Sequence, residues 1–560
     1  MMDNTRLFLW LALVAMVWLN YSAWVADRAP APAAAPPAGV EAPEAPTAES
    51  EGAGQGDGAD LLPELEDGAS AGAASSSAAA APDAAPSMPI RVRTDVLDVV
   101  IDPEGGSLVR ADLLDYPVHK DEPDKLVRLL DYAPDTLWVL QTGLRSATGG
   151  PEPNHRARFR ADRDSYELAP GQDELVVTLE WVGGGPVSAR KIYTFHRGRY
   201  HVDLELVVTN ESDAAWRGAA YAQMVRRHHP VERSFRSIDS YSFTGPVLYD
   251  GDQYQKLDVE SLAEEPLMQQ VAGGWLAGIQ HHFLAAIVPP PDATFKYSAT
   301  APDGRYVLSA VGPIQEIAPG AQHRIPFELF VGPKLQDELR DTADELELTV
   351  DYGRLTILAQ PLFWALSHIH DVVGNWGWSI VIMTLLIKLA FYKLTEASGR
   401  SMAKMRRVAP RMKALQERYK DDRQALSRAM MELYKREKIN PAAGCLPILV
   451  QMPFFFAYYW VLIESVEMRQ APFLLWINDL SARDPYFVLP LLMGAAMFLQ
   501  QRLNPAPPDP VQARVMQIMP IAFTVFFSFF PSGLVLYWLT NTLVSIAQQW
   551  RINQVVAREA

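Results

Sequence analysis

A lysine inside an apolar run is the residue of this chain with the most to explain. Lys388 stands in Trp376–Leu394, and Thr384 lies four residues earlier on the same helical face. At 1.5 Å per residue, Lys388 is about 18 Å from the start of the run. A charge at a membrane centre costs about 2.5–3.5 kcal/mol. Two readings follow: a charged, hydrated cavity, or a lysine snorkelling to nearby headgroups. Other runs also carry polar stripes. Asn541, Ser545 and Gln548 are spaced i, i+4, i+7; Gln517, Thr524 and Ser528 follow a similar stripe; Gln451 lies near one end of its run. Such stripes line a water-filled groove, or hydrogen-bond helices within a packed bundle. The lysine tips the set toward a groove.

Covalent chemistry finds little support. The histidine pairs His228-His229 and His281-His282 are adjacent, so on a strand they face opposite ways. His368 and His370 point about 200° apart on a helix and make poor joint ligands. A single cysteine, Cys445, excludes an internal disulfide and a multi-cysteine zinc site. No Walker loop, GxSxG or HExxH occurs. No cofactor or metal is expected.

The elements that position Lys388 are apolar runs. Leu7–Val25 is long enough to cross about 30 Å of hydrocarbon. Trp24 fits a small-x-small cleavage site badly, so residues 1–26 read as an uncleaved anchor. Five more spans are expected at 376–394, 446–463, 486–503, 515–530 and 533–550, within a unit 376–550. The last but one has only 16 residues, about 24 Å, which points to local bilayer thinning. Between the second and third spans, Lys393–Lys438 holds 14 basic and 6 acidic residues. It reads as a basic helical hairpin, 395–440, broken near Lys420-Asp421-Asp422, and as cytoplasmic by the positive-inside rule. Residues 551–560 then form a short inner tail.

Between the first two spans the chain changes character. From Ala26 to Ile387 there are 28 Lys and Arg against 53 Asp and Glu, within a whole-chain charge of -16. Residues 27–89, rich in Ala, Pro, Gly and Ser, read as a disordered linker. Residues 90–350 alternate in short strands broken by turn signals, for instance Val92–Ile101, Leu175–Val182, Lys191–Phe195, His201–Val208, Trp275–Val288 and Arg305–Val311. They predict a large β-sandwich that ends in a helix over Lys334–Leu348. Residues 351–375 hold an interfacial amphipathic helix, its apolar residues recurring from Leu358 to Val373. The expected fold is a polytopic α-helical membrane protein with six transmembrane helices, both termini cytoplasmic, and a large external β domain.

Particular strings add a family resemblance. Asp351-Tyr352-Gly353, Gln360-Pro361-Leu362-Phe363, Val373-Gly374-Asn375-Trp376-Gly377 and Ser401-Met402-Ala403-Lys404-Met405 closely resemble the bacterial YidC membrane-insertase family. So do Asn440-Pro441 with Gly444-Cys445, Gln451-Met452-Pro453, Arg469-Gln470-Ala471-Pro472-Phe473, Asp484-Pro485-Tyr486 and Phe530-Pro531-Ser532-Gly533-Leu534-Val535-Leu536-Tyr537. Arg93-Thr94-Asp95-Val96-Leu97 resembles its Gram-negative members.

The resemblance implies an inner-membrane insertase and chaperone, working alone or beside the Sec translocon. It also implies a periplasmic β-supersandwich and a five-helix insertase core. In that family a positive residue, usually arginine, occupies a groove open to cytoplasm and lipid. Lys388 stands in its place, keeping charge but losing the bidentate fork. Thr384 matches a groove residue. Trp538, beside Tyr537, stands where some members have a second tyrosine. Lys393 replaces a proline often found there.

The mechanism expected is physical. A hydrated groove of Lys388, Thr384, Gln451, Gln517, Thr524, Ser528, Tyr537, Trp538, Asn541 and Ser545 receives the polar segment of a nascent membrane protein and lowers its desolvation cost. The hairpin residues Arg406, Arg407, Arg411 and Lys413 would meet the ribosome transiently, anionic lipids or the Sec machinery, without nucleic-acid specificity. Most hairpin charges fit equally well a solvated face that obeys the positive-inside rule. Rival readings are a sugar-binding β domain of mutarotase type, a fold analogy alone, and a solute transporter, which would need paired broken helices at mid-membrane.

Overall fold

The computed structural model describes residues 61–65, 88–183, 185–230, 242–419, 422–437, 446–503 and 510–558. Leu7–Val25, most of the linker, Lys420-Asp421 and Asn440 to Cys445 lie outside them.

Twenty strands form two sheets that pack face to face. The first sheet draws on β1 (Ile90–Arg93), β2 (Leu97–Asp102), β3 (Ser107–His119), β4 (Glu122–Leu130), β5 (Trp138–Ser146), β7 (Ser165–Glu167) and β11 (Trp216–Arg227). It is completed by β14 (Leu267–Ala272), β17 (Thr294–Thr300), β18 (Arg305–Val311) and β19 (Gln315–Ile317). Its order is β14-β17-β18-β11-β5-β3-β2-β1-β7, with β4 beside β3 and β19 beside β11. The second holds β6 (Phe159–Arg160), β8 (Glu174–Trp181), β9 (Val187–His196), β10 (His201–Asn210) and β12 (Gly245–Tyr249). With them stand β13 (Tyr254–Lys256), β15 (Trp275–Gln280), β16 (Phe283–Val288) and β20 (Gln322–Pro333). Its order is β13-β12-β15-β16-β20-β10-β9-β8-β6. Alternation puts Val99, Leu108 and Met224 of one sheet and Tyr193, Leu204 and Leu276 of the other into one core.

Local chemistry explains where the strands break. The expected strand Val92–Ile101 is two, because Thr94 Oγ1 accepts from the amides of Val96 and Leu97 at 3.2 and 3.0 Å. That side chain makes the turn. Trp275–Val288 is likewise a hairpin, turning at His281-His282. The helix expected over Lys334–Leu348 is shorter. α2 (Gln336–Thr342) follows the small α1 (Val259–Glu264), and a 3-10 turn covers Leu346–Thr349 after Glu345 takes positive φ.

The helical part begins at α3 (Thr356–Val373), whose buried Ala359, Leu362, Phe363 and Leu366 face protein, while Ile357, Trp364 and Val372 remain exposed. The expected amphipathic helix thus lays its apolar stripe against neighbouring helices. α4 (Trp376–Ala390) is N-capped by Asn375, and ends four residues before the expected span does. A 61° bend at Phe391 leads into α5 (Tyr392–Arg418). No proline stands at this break. α6 (Arg423–Arg436) completes the hairpin, capped by Asp422. Then come α7 (Leu446–Glu464), α8 (Val488–Leu503), α9 (Pro510–Phe527) and α10 (Ser532–Arg558). α9 starts five residues before the expected span and ends three before its end. α10 continues through most of the expected tail. Among the described residues no single helix is long and apolar enough by itself to cross a membrane; the bent pair of α4 and the first turns of α5 is, by length and composition.

Two buried histidines of the sandwich set an acid limit. His155 Nδ1 pairs with the Tyr221 hydroxyl at 2.7 Å, and burial near Lys191, Arg156 and Arg145 pushes its pKa down to about 3. Burial beside His281, Lys334 and Arg469 also holds His282 well below the usual histidine range. Both are therefore neutral when folded and protonate near 6.5 when unfolded. The contribution of these two histidines to stability is constant above pH 6.5 and is lost as pH drops from there toward 3. Thermal unfolding at pH 7.5, 6.5 and 5 checks this, and His155→Gln should shallow the slope.

Candidate functional site

Lys388 lies in the last turn of α4, where the helix dipole favours a cation. Its ammonium donates to Ser545 Oγ of α10 at 2.9 Å. Ser545 donates back to the Asn541 carbonyl at 2.7 Å. Gln548 Nε2 reaches the Lys388 carbonyl at 3.4 Å, one of the acceptors that a helix end leaves free. Lys388 is 6% exposed and Thr384 1%. The Thr384 hydroxyl donates to the Ile380 carbonyl at 2.6 Å. Among the described residues Lys388 has no carboxylate partner; its ammonium donates to an uncharged hydroxyl.

The stripe on α10 is longer than its polar residues suggest. Trp538, Asn541, Ser545 and Gln548 follow one another at i+3, i+4 and i+3, so they share one face. Trp538 is boxed by Phe455 at 4.9 Å, Phe527 at 4.8 Å and Phe523 at 6.1 Å, measured between ring centroids. Tyr537 is buried against Tyr458 at 4.9 Å and Phe455 at 5.7 Å. Three polar atoms along α7 and α10 are buried without a hydrogen-bond partner: Tyr458 OH, Trp538 Nε1 and Gln548 Oε1. Native interiors rarely tolerate such atoms without water or a ligand.

Other expected groove residues stand elsewhere. Thr524 faces α8, where a Cβ added at Gly494 would lie 2.0 Å from its Oγ1. Its hydroxyl and that of Ser528 bond back to carbonyls of α9 at 2.7 and 2.8 Å. Gln517 is exposed and Gln451 half-buried. In the hairpin, Arg407 donates to the Val556 carbonyl at 2.7 Å and Arg411 pairs with Glu437 at 2.7 Å. Both thus have partners within the chain. The side chains of Arg406 and Lys413 lie outside the described residues. His196, His201 and Asp203 are the described group close enough to hold a metal ion, but His196 and Asp203 already hydrogen-bond at 2.7 Å on the sandwich surface.

Two family models match the chain. "YidC periplasmic domain" covers residues 89–365 and "60Kd inner membrane protein" covers 368–559. The membrane protein insertase YidC of Nitrosococcus oceani is 46% identical over 560 residues, all of both chains. That of Alkalilimnicola ehrlichii is 52% identical over 466 residues, 83% of this chain and 82% of the relative. The chain belongs to the YidC family. A crystal structure of an active YidC insertase with its first transmembrane domain resolved is similar over 83% of this chain and 92% of its own, at 19% identity and a TM-score of 0.37.

In this YidC-family chain the junction between the two matched regions falls inside α3, so one helix joins sandwich and helical part. A polar seam reinforces the joint. Ser242 donates to Glu464 at 2.6 Å, and His281 and His282 reach the Ile463 carbonyl at 3.0 and 3.3 Å at the end of α7. Arg469 donates to the carbonyls of Pro117 and Val118 at 2.8 and 3.2 Å, and Lys120 to those of Gln470 and Asn478 at 3.1 and 2.6 Å. Sequence reading placed His281 and His282 on opposite faces of a strand and took Arg469 and Gln470 only as part of a family string; the two histidines instead form a turn, with their rings stacked and both reaching one carbonyl, and Ser242, Lys120 and Glu464 were not singled out. The available signal was a glutamate closing an apolar run and an arginine following it.

Proposed function

We infer that this chain is a membrane protein insertase of the bacterial inner membrane, with its β-sandwich on the periplasmic side and the unpaired Lys388 as the receiving charge. Insertion needs no covalent step. The family match over the whole chain carries the activity. The observation that carries the site is a buried ammonium that, among the described residues, donates only to Ser545, on the stripe that ends in orphaned Gln548 and Trp538 atoms.

In this reading six spans cross the membrane: Leu7–Val25, the bent α4–α5 start, and α7, α8, α9 and α10. Both termini are then cytoplasmic. α8 is about 24 Å long and α9 about 27 Å, both short of 30 Å of hydrocarbon, so the bilayer thins around them. The seam between α4 and α10 opens on the cytoplasmic side to admit water and a polar client segment. Lys388 exchanges Ser545 for an acidic group of the client, and the client's apolar helix leaves past α7 and α9 into lipid. Membrane potential acting on the acidic group adds about 2.3 kcal/mol per charge per 100 mV. The α5–α6 hairpin, with Arg407 and Arg411 tied internally, presents its remaining cations to ribosome, anionic lipid or the Sec translocon.

Purified chain in proteoliposomes should insert a single-span protein with an acidic translocated tail. Photo-crosslinkers placed at Thr384 and Trp538 should both capture the stalled span. Silence at both positions with insertion intact would place the client path elsewhere.

A further inference from the structure

The linker contains one apolar cluster, Leu61-Leu62-Pro63-Glu64-Leu65, in a stretch built mostly of Ala, Pro, Gly, Ser and acids. Those five residues lie against the outer face of the first sheet. The register of three adjacent strands shapes the receiving surface. On β11, Ala219, Tyr221 and Gln223 point outward while Ala220, Ala222 and Met224 enter the core. Beside them stand Arg145 and Gln141 of β5 and Val311 and Ser309 of β18. β11 is therefore buried on both faces, which a half-exposed sheet does not need.

Leu62 and Leu65 pack on Ala219, Tyr221 and Val311 beside Ile314. Two side chains read the peptide backbone. Gln223, 1% exposed, donates to the Leu61 carbonyl at 3.1 Å while its amide also holds Gln141 at 2.6 Å. Arg145 donates to the Pro63 carbonyl and is itself oriented by Glu152 at 2.9 Å. Glu64 points to solvent. Two apolar contacts three residues apart, with side-chain donors for two of the segment's carbonyls, are features of a peptide-binding site.

We infer that this face is a docking site for a Leu-Leu-Pro-x-Leu segment, and that its occupant is residues 61–65 of this same chain, acting as a clasp. The connection to β1 is short enough for an effective concentration on the order of millimolar, so even a weak peptide affinity keeps the clasp closed. The clasp moves the attachment point of the sandwich from β1 to the face of β11. Chain length available between the first apolar run and the sandwich falls from about 60 to about 35 residues, and its greatest reach from about 210 to about 120 Å. Only this consequence for reach rests on reading Leu7–Val25 as an anchor; the docking does not.

The test uses the full chain in detergent and a fluorescent peptide of residues 59–67. The peptide should bind saturably to a chain carrying Leu62→Asp and Leu65→Asp, and at least tenfold more weakly to the unaltered chain, whose site is filled. Absence of binding to the altered chain would overturn the docking site. Equal binding to both would overturn occupancy in cis. A spin label at Glu64→Cys, with Cys445→Ser, should tumble at least threefold more slowly in the unaltered chain than in the Leu62→Asp, Leu65→Asp chain. Equal mobility overturns the clasp whatever the peptide does. Neither readout requires insertion activity, so failure of the clasp and failure of the insertase reading are separable.

Discussion

Replacing Lys388 with glutamate should abolish insertion of an acidic-tailed single-span client, a loss of at least tenfold. The native ammonium sits 6% exposed, hydrogen-bonded to Ser545 and, among the described residues, without a carboxylate partner. A client carboxylate entering that recess gains a partner that the free protein lacks. A glutamate there would meet it with like charge, where screening by water is weakest. Lys388→Arg should hold activity within about threefold, since charge persists. Lys388→Gln should fall between, keeping a donor for Ser545 but no charge. Rescue of a depleted strain, read by protease protection of the client tail, orders the three variants. Full activity of the glutamate variant would remove electrostatic attraction from the mechanism.

Asp484→Ala should be the most destabilising single change in the loop between α7 and α8, at about 3 kcal/mol. The Asp484 carboxylate is 2% exposed and accepts three bonds: the Trp476 indole at 3.0 Å, the Tyr486 amide at 3.0 Å and the Leu489 amide at 2.7 Å. The last is at the start of α8, so the residue also caps that helix. Hydrogen bonds to a charged acceptor contribute about 1.5–3 kcal/mol, and alanine leaves the donors unpaired. Asp484→Asn keeps an acceptor and should lose less than half as much. Thermal unfolding followed by Trp476 fluorescence distinguishes the variants. Because the same loop carries Gln470 and Asn478, which hold Lys120 of the sandwich, the alanine variant should also loosen the joint between the two parts.

Much of the architecture was legible in order along the chain. Apolar runs located the helices, and the paired turn and β-branched signals located most strands, because both depend on near neighbours. Their ends were less legible. Thr94 broke a strand through a side chain bonded to amides two and three residues on, and α10 ran through a segment whose composition reads as tail. The site divided in the same way. Lys388 and the stripe Asn541, Ser545 and Gln548 were conspicuous as polar groups in apolar runs, and the structure brings them together. Thr524 and Ser528 were equally conspicuous by spacing, yet they turn toward their own helix and α8. Spacing defines a face, and only packing decides what that face meets.

The amino-acid sequence by itself determined the family, the division into an acidic β part and a basic helical part, and the presence of one lysine where charge is expensive. These are properties of composition and local order. Only the tertiary structure decided that Lys388 rests on Ser545 with no anion among the described residues, and that His281, His282 and Arg469 tie the sandwich to the end of α7. Each pairs residues more than a hundred positions apart, and no short-range pattern encodes which distant partner will lie within 3 Å. Leu62 and Leu65 of the linker show the boundary most plainly: their apolar character was visible in the chain, but the outward face of β11 that receives them exists only once three strands have aligned.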